Sequence, residues 1–165
     1  MLSAHEVRVR EMMVAFRQRV PSQPEIPDLE MRKLRVRLLV EEVLETAEAY
    51  GIEVGLNIGV NYFPIDMDNL AFVASGEEPD LVKIIDGHGD ISVVNVGGAA
   101  ACGVELEGIL EQIDANNLAK VTNGHVCPDT GKFIKPEGHP APPIAEVLEM
   151  QGYQNVTGAA QTEGG

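Results

Sequence analysis

Apolar and acidic positions interleave at helical spacing between Arg35 and Glu48, and nothing in that stretch breaks a helix. Leu38, Val40, Val43 and Leu44 supply an apolar stripe. Glu41, Glu45 and Glu48 fall on one face, with Glu42 close beside it. Asp28 is a natural N-cap and Gly51 a natural C-cap, so the pattern predicts a helix running to about Tyr50. A helix before it opens at Ser3, where Glu6 three residues on completes a capping box. Val7, Val9, Met12, Met13, Phe16 and Val20 continue it in a partly helical pattern, and Pro21 stops it. Met12, Met13 and Phe16 read as core. The prolines from Pro21 to Pro27 form a rigid connector.

Further along, Asp80 caps a predicted helix through Leu81, Ile84, Ile85, Ile91 and Val94 to Ala101, ending near Gly103. Gly87, Gly89, Gly97 and Gly98 weaken it by roughly 1 kcal/mol each against alanine, and Val93 to Val96 also reads as a strand. Leu106, Ile109, Leu110, Ile113 and Leu118 mark another helix, with Glu105, Glu107, Glu111 and Asp114 as its wet face. Ile144 to Met150 predicts a last short helix. Residues 51–79 have no clear period. Gly51, Gly55 and Gly59 recur every fourth position, and Asn57, Asn61, Pro64, Asp66, Asp68 and Asn69 are turn chemistry. Asp66 and Asp68 alternate as in a calcium loop, but the terminal glutamate of that loop is missing. No linker divides the chain, which reads as one domain over residues 1–152. A Gly-, Ala- and Thr-rich segment over 153–165 is expected to be a flexible tail.

Composition narrows the partners. The chain has 165 residues and a formal net charge of -14, which disfavours a nucleic acid polymer or an anionic membrane as partner. No apolar run reaches a membrane-spanning length, and residues 1–10 lack the apolar segment of a signal peptide. Cys102 and Cys127 make no disulfide framework, which points to a reducing compartment and hence the cytoplasm. With Trp absent and aromatics scarce, the core is expected to be aliphatic.

Three charge sets carry the candidate chemistry. Like charges three and four apart repel by a few tenths of a kcal/mol per pair, so stability alone does not select Glu41, Glu45 and Glu48. A divalent cation would, because a hard cation takes carboxylate oxygens; a solvated helix face is the alternative. Asp86 and Asp90, at i and i+4, form a second acidic pair if the segment is helical and a polar turn if it is not. Lys120, Lys132 and Lys135 lie close in sequence in an acidic chain, as phosphate ligands or as surface lysines. No P-loop, dinucleotide fingerprint or nucleophile elbow is present. His88, His125, Cys127 and His139 lack zinc-ligand spacing.

At these residues the chain resembles the all-alpha nucleoside triphosphate pyrophosphohydrolase superfamily, the MazG-like and dimeric dUTPase group, and within it the small phosphoribosyl-ATP pyrophosphohydrolase-like proteins. The matching blocks are Glu41-Glu42-Val43-Leu44-Glu45 with Arg35 ahead of it, Asp86-Gly87-His88-Gly89-Asp90, Asn117-Leu118-Ala119-Lys120, and Lys132-Phe133-Ile134-Lys135-Pro136-Glu137-Gly138. Two features depart from the pattern. Gly87 stands where the family has a glutamate, with Asp86 one place earlier. Residues 51–79 are longer or odder than the usual inter-helix connection, as a lid, an interface arm or a substrate-selecting loop would be.

The resemblance implies an all-α, MazG-like helical bundle completed by homodimer or homotetramer formation. It implies Mg²⁺, with Mn²⁺ as a substitute, at Glu41, Glu42, Glu45 and Asp90, and at Asp86 next. Glu42, beside Glu41, would act as general base toward a water activated by the metal. Lys120, Lys132 and Lys135 would meet the outer phosphates, Arg35 would orient the carboxylates near the substrate, and Asn117 or the partner subunit would hold the base. The implied reaction converts a nucleoside triphosphate, dUTP or a related dNTP first, to the monophosphate and pyrophosphate. Phosphoribosyl-ATP hydrolysis and a catalytically degenerate helical interaction protein are the alternatives.

Overall fold

The computed structural model describes residues 2–154, so the expected tail lies outside the described residues from position 155 on. The chain is predominantly helical. In chain order the elements are α1 (Ala4–Ala15), α2 (Leu29–Ala49), β1 (Gly55–Ile58), β2 (Asn61–Pro64), α3 (Leu81–Ala101), α4 (Leu106–Ala119), β3 (His125–Val126), β4 (Phe133–Ile134) and α5 (Ile144–Met150). The two antiparallel hairpins add to the helical expectation. The chain groups into two compact units, each discontinuous in sequence.

The first unit holds the described residues of 1–22, 82–126 and 133–165. Ser3 caps α1 in the expected box: its hydroxyl accepts from the Glu6 amide, and the Glu6 carboxylate accepts from the Ser3 amide at 2.7 Å. The helix stops five residues before Pro21 in sequence terms, because Arg17 takes φ 59°. The Arg17 amide then donates to Val14 and the Gln18 amide to Met13, a Schellman ending built on arginine rather than glycine. α1 packs on α4 and α4 on α5, with Ile109 and Val147 buried at the centre. Gly108 permits that approach, since a Cβ there would lie 3.3 Å from a Val147 methyl.

Asp114 corrects the sequence reading. It does not belong to a wet face: it is 3% exposed, accepts from the Arg8 guanidinium at 2.6 Å, and pairs with the His5 ring at 2.8 Å. α1 covers this side of α4, and two basic side chains from α1 compensate the buried carboxylate. Phe16, expected in the core, is half-buried and stacks on Phe133 with centroids 4.0 Å apart.

The second unit spans residues 23–81 and 127–132. Asp28 caps α2 by accepting from the Met31 amide at 2.8 Å, and Leu34 is its buried anchor. Gly51, at φ 71°, ends α2. Its amide donates to Glu48 and the next amide, of Ile52, to Ala47, which turns the chain sharply off the helix. β1 and β2 then pair with Leu56 opposite Phe63 and Asn57 opposite Tyr62.

α3 is the helix that the spacing of Asp86 and Asp90 suggests, and the competing strand over 93–96 does not form. It is largely exposed, with Val82 79%, Val93 72% and Val94 74% accessible. Among the described residues no single helix is long and apolar enough to cross a membrane.

Candidate carboxylate cleft

Helical spacing puts Glu41, Glu45 and Glu48 on one face of α2, and the sharp exit at Gly51 folds the following chain back over that face. The result is a cleft of about 690 Å³. One wall is Glu41, Leu44, Glu45 and Glu48. The other is Gly51 to Val54 and Pro64 to Met67, the two feet of the β1–β2 hairpin. Asp66 is fixed within that second wall, because its carboxylate accepts from the Asp68 amide at 3.0 Å.

Lys132 reaches this face. Its ammonium donates to the Glu41 carboxylate, and both side chains are partly covered, at 34% and 19% exposure. The turn from Cys127 to Lys132 holds it there. The Cys127 amide donates to the Lys132 carbonyl at 2.8 Å, and the Gly131 amide to the Cys127 carbonyl at 2.9 Å. Within the turn, a hydrogen bond to the Thr130 side chain, reinforced by the Thr130 and Asp129 amides, pulls the Cys127 thiol below its ordinary pKa.

The other predicted residues have separate settings. Glu42 is exposed on the flank of α2. Arg35 is half-buried on the same helix, and burial lowers its pKa from the usual guanidinium value. Asp86 and Asp90 are exposed on α3. Asn117 accepts from the Lys120 ammonium through its amide oxygen at 2.5 Å, which orders both side chains. Lys135 is exposed just after β4.

The donor set suits a hard divalent cation in kind, since the cleft offers carboxylate oxygens. It falls short in number. Among the described residues no three His, Cys, Asp or Glu side chains converge closely enough to hold a metal ion. The cation at Glu41 is an ammonium, Lys132. The structure therefore brings Glu41, Glu45 and Lys132 to one face and does not assemble the full predicted ligand set.

The hairpin wall, with Ile52, Glu53, Val54, Ile65, Asp66 and Met67, escapes the sequence reading. A signal for it exists: Gly59 and Val60 join two four-residue runs, and Gly59 takes φ 63°, the two-residue hairpin pattern with glycine first.

A family model described as phosphoribosyl-ATP pyrophosphohydrolase matches residues 9–117. That span contains α2, Asp86, Asp90 and Asn117, and ends before Lys120, Lys132 and Lys135. No curated protein matches the chain. Among solved structures, a protein of Exiguobacterium sp. 255-15, named provisionally as an NTP pyrophosphohydrolase, superposes with a TM-score of 0.62 at 17% identity over 92% of this chain and 98% of that one. At that identity the likeness is one of fold.

Proposed function

The chain belongs to the phosphoribosyl-ATP pyrophosphohydrolase family, and from that premise we propose that it hydrolyses the phosphoanhydride of a nucleotide polyphosphate, releasing pyrophosphate and leaving a monophosphate. It is by family a nucleotide pyrophosphohydrolase. The observation that carries the reading is the carboxylate face of α2. It lies within the matched span, lines a cleft of substrate dimensions, and has a lysine ammonium at one end.

We assign Glu41, Glu42 and Glu45 on α2, with Asp90 and then Asp86 on α3, as the carboxylates that face a divalent cation, Mg²⁺ or Mn²⁺. Such a cation, when bound, neutralises the polyphosphate and lowers the pKa of water. Glu42, exposed and beside Glu41, accepts the proton of the attacking water. Lys132, already paired with Glu41, moves to the outer phosphates, and Lys120 and Lys135 join it there. Arg35 orients the α2 carboxylates. Asn117, whose oxygen is turned to Lys120, binds the substrate together with that lysine.

Phosphoribosyl-ATP is the first substrate to try, because the family model carries that description. A dNTP such as dUTP, preferred on the resemblance alone, comes second. The incomplete ligand set supports a degenerate, non-catalytic helical protein as the competing reading.

The assembly we propose is a homodimer or homotetramer. From Ile91 to Val104 the chain carries no charge, and most of that stretch is exposed. A second copy of a protein with net charge -14 would meet least repulsion there.

The test is a panel of phosphoribosyl-ATP, NTPs and dNTPs incubated with the protein and Mg²⁺, Mn²⁺ or Co²⁺, with products separated by ion exchange. Monophosphate plus pyrophosphate is the expected pair. Diphosphate plus phosphate, or no turnover with any member, contradicts the reading and leaves the interaction protein.

A further inference from the structure

We propose that the β1–β2 hairpin feet are the base-reading wall of the carboxylate cleft, and that this wall selects amino-bearing bases over uracil and thymine. The inference rests on the hydrolase reading for its substrate and adds the specificity of the site.

Among the described residues, every polar side chain that lines the cleft is a carboxylate: Glu41, Glu45, Glu48, Glu53 and Asp66. The rest of the lining is apolar, from Leu44, Ile52, Val54, Pro64, Ile65 and Met67, with Gly51 at the bend. Carboxylates accept hydrogen bonds and do not donate them. A base lodged in this wall is read by its own N–H groups. Guanine offers a ring N–H beside an amino group, a pair that fits one carboxylate side by side. Adenine and cytosine offer an amino group. Uracil and thymine offer one N–H flanked by two carbonyl oxygens, which would face carboxylate oxygens.

The dimensions agree with one nucleotide lying along α2. Glu41, with Lys132 on it, marks the cation and phosphate end. Glu48 stands seven residues further, about 10 Å along the axis, beside the turn that leads to Glu53. That is the reach from a polyphosphate across a sugar to a base. The wall is also fixed in place. The Ile65 amide donates to the Val54 carbonyl at 2.8 Å, closing the two feet on each other. Gly55 leaves room for the Tyr62 ring, which a Cβ would meet at 2.3 Å, and the Tyr62 hydroxyl donates to the Glu53 carbonyl at 3.3 Å. Among the described residues the flanks are aliphatic and no aromatic ring lines the cleft, which leaves hydrogen bonding, rather than stacking, to discriminate among bases.

The experiment is equilibrium binding of α,β-imido triphosphates of guanosine, adenosine, cytidine and uridine to the full chain in Mg²⁺. These probes are not cleaved at the bond in question, so the result is independent of turnover. The uridine probe is expected to bind at least tenfold more weakly than the guanosine probe. Glu53→Gln and Asp66→Asn each place an amide donor in the wall, and at least one should narrow that ratio several-fold by improving uridine binding. Asp66→Asn keeps an oxygen that accepts from the Asp68 amide, and Glu53 is exposed, so both variants keep the fold; circular dichroism checks this. Equal binding of uridine and guanosine probes, a ratio untouched in both variants, or no binding of any probe overturns the proposal. Failure of the hydrolase reading shows separately, as absent pyrophosphate release from cleavable substrates.

Discussion

Asp114 shows how far a single residue's role can lie from its type. On α4 it stands among glutamates, and nothing local distinguishes it. What buries it is α1, more than a hundred positions earlier in the chain, which brings His5 and Arg8 onto it. Asp114→Ala should therefore destabilise the fold by about 2 kcal/mol, because it strands a hydrogen-bonded cationic partner. Urea unfolding measures this, and a change within 0.5 kcal/mol, about that of an ordinary surface substitution, would contradict the placement. Cys127 gives a pH-dependent counterpart. Its thiolate is favoured in the native turn by the Thr130 hydrogen bond, so its pKa lies below the ordinary thiol value of 9.0. Alkylation, which follows the thiolate, should rise with pH to a midpoint below that value, and Thr130→Val should move the midpoint upward. A midpoint at or above the ordinary value in the native protein would exclude the bond. Glu41, Glu45 and Lys132 lie between these cases: their types and spacing are visible in the sequence, whereas the ion pair joining Lys132 to Glu41 depends on the fold.

Elements were legible where caps punctuate them. Ser3 with Glu6, Asp28, Gly51 and Gly103 mark helix ends that the structure reproduces to within a residue or two. α1 is the exception at its far end, since arginine rarely takes the left-handed conformation that Arg17 adopts. The β1–β2 hairpin was illegible for a different reason. Period two shows when one face is buried and the other wet, but here Leu56, Ile58, Tyr62 and Phe63 are all exposed on both faces. With no burial contrast along the strands, only the Gly59–Val60 turn remained as a signal. That turn is a point of weakness. Gly59→Val forces a β-branched residue into φ 63°, costing about 1–2 kcal/mol. Limited proteolysis should then cut between residues 51 and 67 faster than in the native chain, and substrate KM should rise with little change in overall helix content. Unchanged cleavage would show that the hairpin does not depend on this turn.

At the scale of the whole molecule, the aliphatic core expected from composition is thin in one protomer. Among the described residues only Leu34, Ile109 and Val147 are buried apolar side chains. Exposed valines on α3, Val93, Val94 and Val96 among them, form the kind of apolar surface that soluble chains cover. Light scattering should return a multiple of 17.8 kDa, and Val94→Glu should shift the protein toward that single-chain mass. A native protein that is already a single chain at micromolar concentration would contradict the assembly. The sequence could suggest this surface but not its partner, because helix patterning reports an apolar face without saying which chain covers it.

In the proposed function, the carboxylate face of α2 is where a phosphoanhydride is cleaved. Pyrophosphate release with Mg²⁺ should be measured side by side for the native protein, Glu45→Ala, and Glu107→Ala as an acidic control on α4 outside the cleft. The native protein and Glu107→Ala should release pyrophosphate at similar rates. Glu45→Ala should be slower by about two orders of magnitude, the scale on which loss of an electrostatic contact to the reacting group acts. Equal rates for Glu45→Ala and the native protein, or no release by the native protein at all, would contradict the account.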